Sequence, residues 1–252
     1  MPRLLVLTPG EFSRDPRARR AALAAVAHGW EVVAVCANVT GDRVAPVEGV
    51  EVVRVGGDRI SGALRERGLG GMRTSSAPVR ELRGLYRLLR LGRTTARLAT
   101  AARRHGPFDV VHANDFDTLP AARLGAPGAR IVYDSHELYT TQEPDPPRIF
   151  QRVAGGIERR AARRAGAVVT TGRPFADELE RRLRLARPPI VVLNAPDASP
   201  SPPPAAAGGP LRVIYQAAMG PGRPLGDVIA AAAHAPGVEI TLRVVGADTE
   251  EL

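Results

Sequence analysis

The feature that most limits how this chain can fold is the alternation of short apolar, β-branched runs with longer stretches of helical periodicity. Residues 4–7, 31–36, 50–55, 110–112, 130–133, 167–170 and 190–193 read as strands. Residues 16–28, 78–104, about 118–124, 149–164 and 174–185 read as helices between them. Strands without a polar face need cover on both sides, and helices placed between successive strands supply it. The pattern predicts an α/β fold with a doubly wound parallel sheet. Local signals agree at the first helix, where Asp15 reads as the N-cap, Pro16 takes the first helical position and Gly29 ends the helix.

The alternation breaks at residues 194–210, NAPDASPSPPPAAAGGP. That segment has too few large apolar groups to join a core, and its prolines favour extended backbone. Strand–helix–strand patterning resumes at 211–215, 225–234 and 239–245. The expected organisation is a first domain over 1–193, a Pro/Ala-rich linker over 194–210, and a truncated second Rossmann-like domain over 211–252. The last piece is roughly a hundred residues short of a typical domain.

Charge narrows the partners. The 35 basic residues, all arginine, face 26 acidic ones, for a net charge of +9. Such a balance favours phosphates, nucleic acid or an acidic membrane surface. Nucleic acid is disfavoured, because one Trp, four Tyr and five Phe offer few stacking platforms and no nucleic-acid motif is present. On the long helix, Arg80, Arg83, Arg87, Arg90, Arg97 and Arg104 recur at spacings that share one face. Leu85, Leu88, Leu89, Leu91 and Leu98 lie largely on the other. The expected arrangement is leucines packed inward and arginines in solvent, and such a basic amphipathic helix can also rest on an anionic membrane. Cys36, the single cysteine, reads as a small core residue in a reducing compartment. The opening MPRLLVLTPGEF is too short in apolar residues for a signal peptide, and no run approaches the roughly 18 apolar residues of a membrane span. The expected location is cytoplasmic, with peripheral contact at the inner face of the membrane.

In doubly wound sheets, ligands gather beyond the carboxyl ends of the strands. After the first strand comes Thr8-Pro9-Gly10-Glu11, where Gly10 admits a close approach to backbone. The absence of a Gly-x-Gly-x-x-Gly or Walker-type loop argues against a dinucleotide site. The fourth strand runs into HANDFD, which sets Asn114, Asp115 and Asp117 at the sheet edge; Asp117 reads best as a cap for the next helix. The fifth runs into Asp134-Ser135-His136-Glu137. A histidine among carboxylates at a strand end can act as acid, base or hydrogen-bond donor near neutral pH. His112 and His136 lack a third ligand at metal-like spacing, so no metal is expected. No carboxylate pair can be assigned the separation a glycosidase needs.

Six segments in this order resemble family 4 glycosyltransferases of the GT-B fold. They are SRDPRARRAALAAVAHGWEVVAVCA, DVVHANDFDTLPAARL, ARIVYDSHELY, VVTTGRPFADELERRL, VVLNAPD and LRVIYQAAMGPGRPLGDVIAAAAH. The resemblance implies a retaining, metal-independent transfer from a nucleotide-sugar co-substrate, with no further cofactor. It places His136 in the catalytic cleft and Gly10 and Arg223 against the donor's diphosphate. Glu11, Asn114, Asp115 and Glu137 then line the acceptor side, which takes a small molecule, a glycan or a lipid-linked acceptor. Two departures bear on the reading. Gln216-Ala217-Ala218-Met219 stands where the family offers a second basic residue, and the family's paired-glutamate motif does not occur in these 252 residues. The alternative expectation is a truncated, non-catalytic GT-B-like remnant or binding module.

Overall fold

In the computed structural model, which describes residues 1–37, 46–56, 76–139, 146–195, 209–218 and 225–245, seven strands form one parallel sheet. They are β1 (Arg3–Thr8), β2 (Glu31–Cys36), β3 (Val50–Arg54), β4 (Val110–Asn114), β5 (Arg130–Ser135), β6 (Ala167–Thr170) and β7 (Ile190–Val191). The spatial order is β3-β2-β1-β4-β5-β6-β7. The chain winds outward from β1 in one direction, then crosses to β4 and winds in the other. The carboxyl ends of β1 and β4 therefore diverge at a switch point, with β5 next to β4. Helices α1 (Pro16–Ala27), α2 (Ala77–His105), α3 (Leu119–Gly125), α4 (Arg148–Ala162) and α5 (Arg173–Leu183) accompany the sheet.

Period-two side-chain alternation divides the core between the two faces. Leu5, Leu7, Val33, Val35, Val111, Ala113 and Tyr133 pack with Leu98 and Ala102 of α2 and Leu119 and Ala122 of α3. Leu4, Val6, Val32, Ala34 and Cys36 pack on the opposite side with Phe12 and with Ala18 and Ala22 of α1. Each fully buried Val or Leu contributes about 1.5–3 kcal/mol of transfer free energy, so the central strands anchor the unit. Small residues set the helix spacing: a Cβ on Gly125 of α3 would lie 2.7 Å from Ala102 Cβ.

Of two expected helix caps, one holds and one does not. Asp15 caps α1 as predicted, accepting from the amides of Arg17 and Ala18 at 3.0 and 2.9 Å. Asp117 does not cap α3. It falls inside a 3-10 turn, Phe116–Thr118, that precedes the helix, and no side chain caps that turn or α3. Its carboxylate instead pairs with the Tyr139 hydroxyl, while Thr118 Oγ1 donates to the Asn114 carbonyl at 2.8 Å.

The first half of α2 is turned the other way round from expectation. Val79, Leu82, Leu85 and Leu89 are exposed, Leu82 at 66%, whereas Arg80, Arg83 and Arg87 are partly buried. Packing against α4 decides this. Gly84 lets Pro147 and Ile149 approach, and the Arg87 guanidinium lies 4.1 Å over the Phe150 ring. Glu81 accepts from the Arg148 and Ile149 amides at 3.0 and 2.9 Å, capping a helix whose own cap residue, Pro147, has no acceptor side chain. Further along, Leu91 and Leu98 are buried and Arg90, Arg97 and Arg104 exposed, as the spacing predicts.

The chain divides into two units, Met1–Ala195 and Pro196–Leu252. In the second, β8 (Leu211–Ala218) pairs in parallel with β9 (Val238–Val245), joined through α6 (Leu225–Ala232). Residues 196–208 of the linker and Arg223 lie outside the described residues. Among the described residues, no helix is long and apolar enough to cross a membrane.

Candidate functional site

Side chains from α1, from β4 and from the end of β5 converge on one carboxylate, Asp134. It is the fifth residue of β5, level with Asn114 of β4, and its side chain is 3% exposed. Arg17, from the first turn of α1, grips it with both arms of its fork, Nε to Oδ2 at 2.7 Å and Nη2 to Oδ1 at 2.8 Å. Two imidazoles share the remaining edge: His112 Nε2 and His136 Nε2 each lie 3.6 Å from Oδ2. That distance is a close electrostatic contact, too long for a hydrogen bond.

Asp115 holds the other side of His136. Its Oδ1 accepts from the His136 amide at 3.0 Å, and its Oδ2 lies 3.4 Å from Nδ1. Asp115 adopts φ 60° and ψ 165°, a conformation rare outside glycine. Such backbone costs about 1–3 kcal/mol and persists where the surroundings impose it. Here the amide of Asp115 donates to the Asp134 carbonyl at 2.8 Å, which joins the two strand ends and aims the carboxylate at the imidazole.

The charges follow from this packing. Burial pushes Asp134 upward, but His136 and Arg17 outweigh it and hold the carboxyl at about 2. Burial pushes Asp115 up to about 6, even against the neighbouring His136. For His136 burial favours the neutral ring, yet Asp134 and Asp115 together hold it above the ordinary imidazole value. His112 goes the opposite way, because burial outweighs Asp134. The two histidines are thus shifted in opposite directions, His136 toward its protonated form and His112 toward the neutral ring.

The sequence-predicted residues fall at different depths. His136 and Asp115 meet at the rim. Asn114 lies beneath it, fully buried, its amide donating to the Leu7 carbonyl at 2.9 Å. Glu11 is engaged by Arg54, Nη2 to Oε1 at 2.9 Å, and by Ser13; its charge-assisted bonds to Arg54 lower its carboxyl. Glu137 is exposed at the rim. Gly10 faces open space: a Cβ there would meet nothing within 4 Å. Arg223 lies outside the described residues. Arg17 and Asp134 were not singled out from sequence, although the helix start Asp15-Pro16-Arg17 sets Arg17 one turn above the strand ends. Among the described residues, no group of three or more His, Cys, Asp or Glu side chains is placed to hold a metal ion.

Comparisons with known proteins agree with this architecture. The sucrose-phosphate synthase of Thermosynechococcus elongatus aligns at TM-score 0.62 and 14% identity, over 99% of this chain and 64% of that chain. The calicheamicin glycosyltransferase CalG4 aligns at 0.56 and 14%, over 100% of this chain and 68% of that one. The α,α-trehalose-phosphate synthase of Burkholderia vietnamiensis aligns at 0.53 and 15%, over 100% and 66%. The chain therefore spans about two thirds of the length of the solved structures it matches. No curated protein sequence matches it. Residues 15–196 match the family described as the glycosyl transferase 4-like domain, and with that match covering most of the chain, the protein belongs to the glycosyl transferase 4-like family, with the GT-B type of fold.

Proposed function

We propose that this chain supplies the acceptor-side half of a retaining, metal-independent glycosyltransferase that uses a nucleotide-sugar, with His136 at the reacting groups. The observation that carries the reading is the imidazole clamped between Asp134 and Asp115 at the sheet's switch point, where the two carboxylates favour its protonated form. A protonated ring is a hydrogen-bond donor rather than a base. It stabilises negative charge at an acceptor hydroxyl or a departing phosphate oxygen. In the transfer, the bond from the anomeric carbon to the diphosphate oxygen breaks, with its electron pair leaving on the diphosphate. A bond to the acceptor oxygen forms on the same face, and the acceptor's proton passes to the departing phosphate or to solvent. The open face of Gly10 suits backbone contact with phosphate, and Arg223 is the basic residue proposed for the same group. Two similar structures support the ligand classes: the SsfS6 glycosyltransferase was solved with thymidine diphosphate, and the rhamnosyltransferase SpnG with spinosyn aglycone.

The test incubates the full chain with a panel of nucleotide-sugars and acceptors and measures release of nucleoside diphosphate. His136→Ala is expected to slow release at least 100-fold while leaving the circular dichroism spectrum unchanged. Full activity in that variant would refute the role of His136. Donor binding without any release in the unaltered chain would favour the non-catalytic reading.

A peripheral membrane contact belongs to the same proposal, now through the outward leucines. Val79, Leu82, Leu85 and Leu89 lead along the outer side of α2 into exposed Arg90, Arg93 and Arg97. Apolar insertion flanked by arginines is the pattern of a helix at an anionic interface. Such contact would bring the site to a lipid-linked acceptor from the cytoplasmic side. Co-sedimentation with anionic vesicles at low salt is expected, and its absence would remove the membrane from the reading.

A further inference from the structure

Arg17 is 7% exposed, and its guanidinium ties two separate parts of the chain together. Nε and Nη2 close on the two oxygens of Asp134. Nη1 donates to the Val192 carbonyl at 2.7 Å, just after β7, where the chain approaches the end of the first unit. One helical turn on, Arg20 Nη1 donates to the Ala195 carbonyl at 2.7 Å. The base of Arg17 is itself fixed, because the Asp15 carboxylate accepts from its amide.

We propose that Arg17 is a positioning residue for His136: it orients Asp134 toward the imidazole and references that carboxylate to the backbone at Val192. This rests on His136 acting at the reacting groups. A buried carboxylate with one free edge would turn toward whichever donor is nearest. The guanidinium fork occupies both oxygens and leaves Oδ2 facing the two histidines. Asp115 completes the clamp on the opposite ring nitrogen. A lysine cannot do the same, since one ammonium lacks the fork and the third donor. Displacement of the segment at 192–195 would move the guanidinium, and with it the carboxylate that sets the charge on His136.

The groups facing His136 are Asp115 from the loop after β4, His112 on β4, Asp134 on β5, Glu137 beside Asp115, and Arg17 and Asp15 from α1. The test is NMR titration of the His136 imidazole nitrogens in the full chain without donor or acceptor, across a double-mutant cycle. Asp134→Asn is expected to lower the His136 midpoint by about one pH unit, as loss of an opposite charge this close does. Arg17→Met is expected to lower it as well, because Asp134, released from the fork, no longer keeps an oxygen on the ring. The double variant is expected to match Asp134→Asn alone, since Arg17 acts through that carboxylate. A raised midpoint in Arg17→Met, or a double variant that differs from Asp134→Asn alone, would show direct action of the guanidinium charge and overturn the proposal; so would an unmoved midpoint in Asp134→Asn. Should Arg17→Met fail to fold, comparison of the double variant with Asp134→Asn still decides, because the double leaves no unpaired buried charge. Amide exchange at 192–195 is expected to quicken in the double variant, and unchanged exchange would sever the link to Val192. None of these readouts requires transfer activity, so their failure is separate from failure of the glycosyltransferase reading.

Discussion

Asp134 and Asp115 sit on either side of one imidazole and titrate in opposite directions, so acid and neutral pH probe them separately. Asp134 is held at about 2 against an ordinary value of 3.8. A lowered carboxyl contributes stability above its unfolded value and loses it as pH falls through the folded one. The contribution is about 2 kcal/mol, lost between about pH 4 and pH 2. Urea unfolding of the Arg17→Met/Asp134→Asn double variant should show that much less loss over this window than the unaltered chain. Asp115, raised to about 6, has the opposite sign. Its cost to the fold grows as pH rises from the ordinary carboxylate range through about 6. Asp115→Asn should flatten the fall in stability over that window, and an unchanged slope would show that Asp115 is not the group responsible. His136 itself was legible from its place after a strand. Its charge was not, because that depends on a carboxylate 2 residues away, another 21 away in sequence and an arginine beyond both.

Helix α2 shows where reading elements one at a time stops working. Its existence and extent follow from its length and periodicity, within a residue at either end. Its orientation does not, because arginine spacing and leucine spacing define competing faces. Gly84 decides between them. A Cβ there would lie 2.6 Å from Pro147 Cβ and 2.8 Å from Ile149 Cγ2. Gly84→Ala should therefore destabilise the chain by about 1–3 kcal/mol in urea unfolding despite the alanine's better helix propensity; a stabilised variant would mean that α2 and α4 do not pack this closely. On the outer face the expectation is the reverse. Leu82→Ser and Leu89→Ser should change stability by no more than about 0.5 kcal/mol, yet weaken binding to anionic vesicles. Vesicle binding equal to that of the unaltered chain would locate the lipid contact elsewhere.

At the scale of the whole molecule, the net charge of +9 favours anionic ligands, and the proposed nucleotide-sugar donor is one. Binding of a nucleoside diphosphate should weaken as salt rises, by screening; salt-independent binding would point to apolar contacts instead. The sequence by itself determined the order of strands and helices, the parallel sheet and the family, because these depend on local periodicity and on motifs contiguous in the chain. Only the tertiary structure decided which face of α2 turns inward, that Asp117 serves Tyr139 rather than a helix end, and that Arg17, Asp134 and His136 form one charged cluster. The physical reason is distance along the chain: Arg17 and Asp134 are 117 residues apart, and no local pattern encodes which buried charges a sheet's winding will bring together.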